Sequence, residues 1–98
     1  MKAQELIKRR VDVFDNAFVD IVVWQVPQSV PGSHHLFKYR LAFIVRGECV
    51  LRYDNEAGKG DHRHIGALEV PYNFSSPRQL LADFQNDVAR WRNENGDS

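Results

Sequence analysis

Apolar and polar positions alternate along much of the first half of the chain, the period-two spacing of half-buried β-strands. A short strand is expected around Leu6 to Phe14, ending at the turn-prone pair Asp15-Asn16. That turn lacks the glycine expected in a tight hairpin. The run FVDIVVWQV, Phe18 to Val26, is rich in β-branched and aromatic residues and stops at Pro27; the following QSVPGSHH reads as a loop. From Leu36 to Ile44, Phe37, Tyr39, Leu41 and Phe43 alternate with Lys38, Arg40, Ala42 and Ile44, and a further strand starts at Glu48. A three-residue connection with Gly47 in the left-handed position pairs Phe43 with Cys49, Leu41 with Leu51 and Tyr39 with Tyr53. A two-residue turn sets Leu41 opposite Arg52, so the apolar pattern favours the first register. The opposite face then carries Lys38, Arg40, Arg52 and Asp54 together.

The period changes after Phe74. Ser76 is a helix N-cap, Pro77 fits the first helical position, and Gln79 completes a capping box. The helix is expected to run to about Asn93. Leu80, Leu81, Phe84, Val88 and Trp91 form its apolar stripe, with Arg78, Gln85, Asn86, Arg90 and Arg92 outward. The expected fold is therefore α+β: an antiparallel sheet of about four to five strands with the C-terminal helix packed on one face, residues 1–98 forming a single domain.

Composition narrows the function classes. Ninety-eight residues, 43% of them hydrophobic, suit one core, and association with a further copy, as a homodimer, would enlarge it. Thirteen Lys plus Arg balance thirteen Asp plus Glu, so any contact with nucleic acid must come from local placement of charge. The lone Cys49 excludes an intrachain disulfide and suits a reducing compartment. No apolar run reaches the roughly 18 to 20 residues that span a bilayer, and MKAQELIKRR lacks the apolar core of a secretory signal. A cytoplasmic protein with no membrane segment is expected.

The segment YDNEAGKGDHRHIG, Tyr53 to Gly66, has a composition that packing does not call for. In an extended stretch His62 and His64 project to one side, with Arg63 and Ile65 opposite, Ile65 toward the core and the imidazoles outward. Paired imidazoles suit proton transfer near neutral pH. Cleavage of RNA requires two such transfers, one from the attacking 2′-OH and one to the departing 5′-oxygen, with cations holding the charge on the phosphoryl oxygens. The candidate acid and base are His62 and His64, with Asp61 orienting an imidazole. Lys59, Arg63, Arg40, Arg52 and Lys38 are candidate phosphate ligands, and Tyr53, Asp54, Asn55, Gly58 and Gly60 are supporting residues, the glycines admitting backbone N–H groups close to phosphate. Other readings stand beside this one. The stretch can be a solvated loop, or His62 and His64 can hold a divalent metal with Asp61 or Asp54. His34 and His35 read as exposed loop residues, and Lys8-Arg9-Arg10 as a solvated run able to touch phosphate.

Across nearly its whole length the chain resembles the TumE-type toxins of bacterial toxin-antitoxin systems. The resemblance is carried by WQVPQSVPGSHH (Trp24 to His35), FKYRLAFIV (Phe37 to Val45), YDNEAGKGDHRHIG, and EVPYNF followed by the LLADFQNDV helix. It implies a toxin neutralised by a cognate helix-turn-helix antitoxin. By analogy with other small toxins, it raises the expectation of RNA cleavage; the paired imidazoles beside a basic sheet face make that expectation a metal-independent ribonuclease with no cofactor. The rivals are a non-enzymatic toxin or binding module that inhibits a protein target, and a metal-dependent phosphohydrolase.

Overall fold

Two-residue turns alternating with longer loops make this fold a meander. The computed structural model of the protein describes residues 2–95. Its strands are β1 (Gln4–Phe14), β2 (Ala17–Gln25), β3 (Phe37–Val45), β4 (Glu48–Asp54), β5 (His62–Ile65) and β6 (Leu68–Pro71), followed by helix α1 (Pro77–Glu94). Every strand lies antiparallel beside its sequence neighbour, in the order β1 to β6. The α+β class, the antiparallel sheet and the helix on one face are as expected; the strand count is six rather than four or five. The extra hairpin comes from the polar segment itself, whose second half forms β5 and pairs with β6 around Gly66.

The glycine missing between β1 and β2 is replaced by Asn16, which takes φ 61°, a conformation its short side chain tolerates. Its carbonyl also accepts a hydrogen bond from the Arg46 N–H at 2.7 Å, joining two adjacent turns.

The connection between β3 and β4 differs from the expected three-residue loop. It is a two-residue turn, Arg46-Gly47, with both residues at positive φ. A break in register between Phe43 and Ile44 skips Val50, and beyond it Phe43 faces Leu51 and Leu41 faces Tyr53. The bulge adds one residue to β4 and so returns apolar partners to the same face. Because the actual pairing differs from the expected one by two residues, every side chain keeps its expected face.

Helix α1 packs on the apolar face, where Leu80 and Phe84 are buried against Tyr53, Leu41 and Phe43. Trp91 meets Phe43 edge-on at 5.4 Å. Each large apolar side chain buried here contributes about 1.5–3 kcal/mol. Ser76 caps the helix by accepting the Gln79 N–H at 3.1 Å. The expected capping box is only half made, since the Gln79 amide donates forward to Asp83 instead. Arg92, expected outward, lies over the Phe14 ring. No helix among the described residues is long and apolar enough to cross a membrane.

No helix among the described residues covers the opposite face of the sheet. At one end of the sheet β1 is the outermost strand and mostly exposed.

Candidate functional site

The registers align two cross-strand rows on the open face. One runs Lys8, Val22, Arg40, Asp54, His62, Pro71; the other runs Arg10, Asp20, Ala42, Arg52, His64, Glu69. His62 and His64 therefore project to the same side, next to Asp54 and Arg52, and their ring centroids are 4.9 Å apart. Arg40 and Lys38 share this face. Arg10 is held by Asp20 at 2.7 Å, which raises its pKa. Among the described residues no carboxylate pairs with Lys8, Lys38 or Arg40. A cleft of about 420 Å³ lies among Lys38, Arg40, Arg52 and Asp54, and a neighbouring one of about 490 Å³ among Lys8, Arg10 and Arg40. Arg40 borders both, so the two form one cation-lined track across the sheet.

The two imidazoles are not equivalent. His62 is buried rather than outward: its side chain is 5% exposed, its Nδ1 lies 3.0 Å from the Gly60 carbonyl, and its Nε2 lies 2.6 Å from Asp54 Oδ1. His64 is 22% exposed and its Nε2 lies 2.9 Å from an Arg52 Nη, from which it accepts. Arg52 also reaches Asp54 through Nε at 3.0 Å, tying the carboxylate and His64 together. Glu69 borders both rings at 3.8 and 3.9 Å.

Strand alternation sends the remaining candidates elsewhere. Asp61 lies away from His62 and His64 and accepts hydrogen bonds from Ser33 Oγ, His35 Nε2 and Tyr39 Oη. The Phe37 N–H donates to His35 Nδ1, so the His35 proton sits on Nε2 and points at Asp61. Burial, and then the charge of Asp61, push the Tyr39 pKa upward. His35 is thus not an exposed loop residue: its ring stacks on Phe74 with centroids 3.8 Å apart.

Arg63 points to the helix face, where it and the Tyr53 hydroxyl both donate to Asp87. Burial raises the Tyr53 pKa, with the hydrogen bond to Asp87 adding to it, and the Tyr53 contact in turn raises that of Arg63. Tyr72 donates to Asp83 nearby, and its pKa is also raised, chiefly by burial.

Lys59 is exposed, 3.6 Å from Glu56. Asn55 is fully buried and bridges Tyr39, Phe37 and Ser33, extending the β3–β4 ladder by one side chain. The Gly58 N–H donates to Pro31, and Gly60 packs backbone-to-backbone on Gly32. The glycines therefore bring two loops together. Of the sequence candidates, His62, His64, Arg52, Asp54, Arg40 and Lys38 share the open face; Asp61, Arg63, Tyr53, Asn55 and Lys59 do not. Asp54, rather than Asp61, is the carboxylate beside the imidazoles.

Against this geometry stands one comparison with known proteins. Residues 2–92 match the family model described as Toxin TumE. The chain belongs to the TumE toxin family. No curated protein and no solved structure gives a significant match. Membership of the TumE family makes this a toxin of a toxin-antitoxin system and implies an antitoxin partner. The matched residues span all six strands and most of α1, so they include both the open-face cluster and the buried networks.

Proposed function

We propose that this toxin cleaves RNA on the open face of its sheet. Asp54, His62 and His64 form the reaction centre, and Arg52, Arg40 and Lys38 hold the phosphates. The observation that carries the reading is the juxtaposition of two imidazoles and a carboxylate with a track of cations, of which Lys8, Lys38 and Arg40 have no carboxylate partner among the described residues, on a face that no helix of those residues covers.

Phosphate contacts supply affinity for a polyanion without requiring an overall positive protein, because the relevant field is local. In the cleavage proposed, the 2′-oxygen forms a bond to phosphorus while the bond to the 5′-oxygen breaks. The 2′-OH proton passes to the centre, a proton reaches the leaving oxygen, and the cations stabilise the added charge. An equal pair of free imidazoles is not what supports this reading, since His62 is buried with Nδ1 on the Gly60 carbonyl and Nε2 against Asp54. The support lies in an inner His62 and Asp54 backed by an accessible His64 whose ring nitrogen Arg52 holds. Arg52 can turn from Asp54 and His64 to an arriving phosphate, so RNA itself would open the centre. A cognate helix-turn-helix antitoxin neutralises such a toxin by covering the same face, in the cytoplasm where both meet RNA.

Purified protein incubated with labelled single-stranded RNA tests the proposal. Cleavage is expected from the wild type, with losses of about 10²-fold or more in His64→Ala and Asp54→Asn. In Lys38→Ala and Arg40→Ala the expected loss is in RNA affinity, with a shallower salt dependence. Growth arrest in cells whose RNA stays intact, or equal cleavage by wild type and His64→Ala, would sink it.

A further inference from the structure

Hydrogen bonding leaves part of the open-face cluster unexplained. A carbonyl only accepts, so the Gly60 oxygen places a His62 hydrogen on Nδ1 and leaves Nε2 as the ring position turned toward Asp54. That nitrogen is 2.6 Å from Asp54 Oδ1. Both atoms are nevertheless buried without a hydrogen-bond partner, so they converge without meeting along a hydrogen-bond direction. Two acceptors at this distance need a proton or a metal ion between them; the Arg52 guanidinium lies beside Asp54, on its other oxygen, and not between the two atoms.

His64 brings a third donor: a ring nitrogen of each histidine and an Asp54 oxygen all lie within 4.8 Å of one another. Ligand atoms held tetrahedrally at 2.0–2.2 Å from a zinc ion stand about 3.4 Å apart. To reach that spacing the Asp54–His62 pair, now at 2.6 Å, opens by about 0.8 Å around the ion and His64 turns away from Arg52. The Gly60 carbonyl behind His62 is the kind of outer partner that fixes the tautomer and ring plane of a metal-binding histidine.

We propose that Asp54, His62 and His64 bind one divalent transition-metal ion. Two imidazoles and a single carboxylate suit Zn2+ and its neighbours better than Mg2+ or Ca2+, which favour all-oxygen sites. The guanidinium of Arg52 stands next to the same three groups and competes with the ion for His64 and Asp54. Metal binding displaces it, and the freed cation faces the phosphate track. The ion thus serves the cleavage proposed above, and to that extent the inference rests on that reading; its test does not require RNA.

The full chain, stripped with EDTA, is titrated with Zn2+ by calorimetry while the histidine ring signals are followed by NMR. One ion per chain is expected, with micromolar or tighter affinity and shifts confined to His62 and His64. Asp54→Asn and His64→Gln, both at positions where folding can be checked by circular dichroism, should each weaken binding at least tenfold. Removing the competing cation in Arg52→Gln should tighten binding severalfold, and His34→Gln should leave it unchanged. Absence of saturable one-to-one binding overturns the site, as does an affinity that neither Asp54→Asn nor His64→Gln changes. Zn2+ binding by a protein that leaves RNA intact keeps the site and removes the ribonuclease reading. RNA cleavage undiminished in EDTA by a protein that does not bind Zn2+ does the reverse.

Discussion

Replacing Asp61 by alanine should destabilise the protein without disarming its chemistry. Its carboxylate accepts from His35 Nε2 at 2.9 Å, Tyr39 Oη at 2.9 Å and Ser33 Oγ at 3.2 Å, and both Asp61 and His35 are largely buried. Hydrogen bonds to a charged group contribute about 1.5–3 kcal/mol each, and donors left unpaired add their own desolvation cost. Ser33 Oγ still accepts from Asn55 although its own hydrogen loses its acceptor, and the loop can relax so that water takes up the freed donors, so the sum is discounted to about 3 kcal/mol. For a domain of this size that is a fall in Tm of roughly 12–24 °C. Urea unfolding followed by tryptophan fluorescence measures it, with Lys38→Ala as the contrasting exposed variant expected within about 1 kcal/mol of wild type. If Asp61→Ala kept wild-type stability to within about 1 kcal/mol yet abolished RNA cleavage, Asp61 would belong to the chemistry and the two-sided division of the segment would be wrong.

Tyr39, Tyr53 and Tyr72 are the only tyrosines, and all have pKa values raised above the usual value of about 10. The stability that their protonated forms contribute is intact below about pH 10 and falls as pH rises above it, because the unfolded chain then releases protons that the folded one retains. Tyrosinate absorbance at 295 nm should appear only with cooperative unfolding; a tyrosine titrating near pH 10 in intact protein would contradict this. On the helix side, Asp87→Ala leaves Tyr53 Oη and Arg63 without their shared acceptor and should cost about 2–3 kcal/mol by chemical denaturation, more than Tyr53→Phe. Gly32→Ala should cost at least about 2 kcal/mol, since the residue has φ +95° and an added Cβ would come 2.7 Å from the Gly60 nitrogen. Gly47→Ala, also at positive φ but with open space around it, should cost only about 1 kcal/mol, and equal losses in the two variants would refute the close-approach argument.

The sheet was legible because Phe37, Tyr39, Leu41 and Phe43 recur at period two and the FVDIVVWQV run is rich in β-branched and aromatic residues, and the helix because Ser76-Pro77 announces it and Leu80 and Phe84 repeat at helical spacing. Side-chain period and the β3–β4 register placed Arg40 with Arg52, and period placed His62 with His64; that the two pairs share one face follows from the β4–β5 pairing, which period alone does not give. The bulge at Val50 was not legible: a two-residue turn with a bulge and a three-residue turn place the same side chains on the same faces. Asp61 was misplaced because proximity in sequence suggested proximity to His62, while strand alternation makes them diverge. His35 was hidden since its partners, Asp61 and Phe74, lie 26 and 39 positions away along the chain. Asp87 did leave a signal: it falls within the stripe formed by Leu80, Phe84, Val88 and Trp91, and a carboxylate there requires donors from the sheet.

The outermost position of β1 has a consequence for how the protein behaves at high concentration. An exposed strand edge is a template for pairing with another chain, and continuous ribbons of such pairs lead to aggregation. If two copies joined antiparallel with Arg9 at the centre, Lys8 of each would face Arg10 of the other, and like charges would crowd the seam. The basic run that the sequence offers as a phosphate contact thus also guards the edge, keeping free toxin from polymerising through its own sheet.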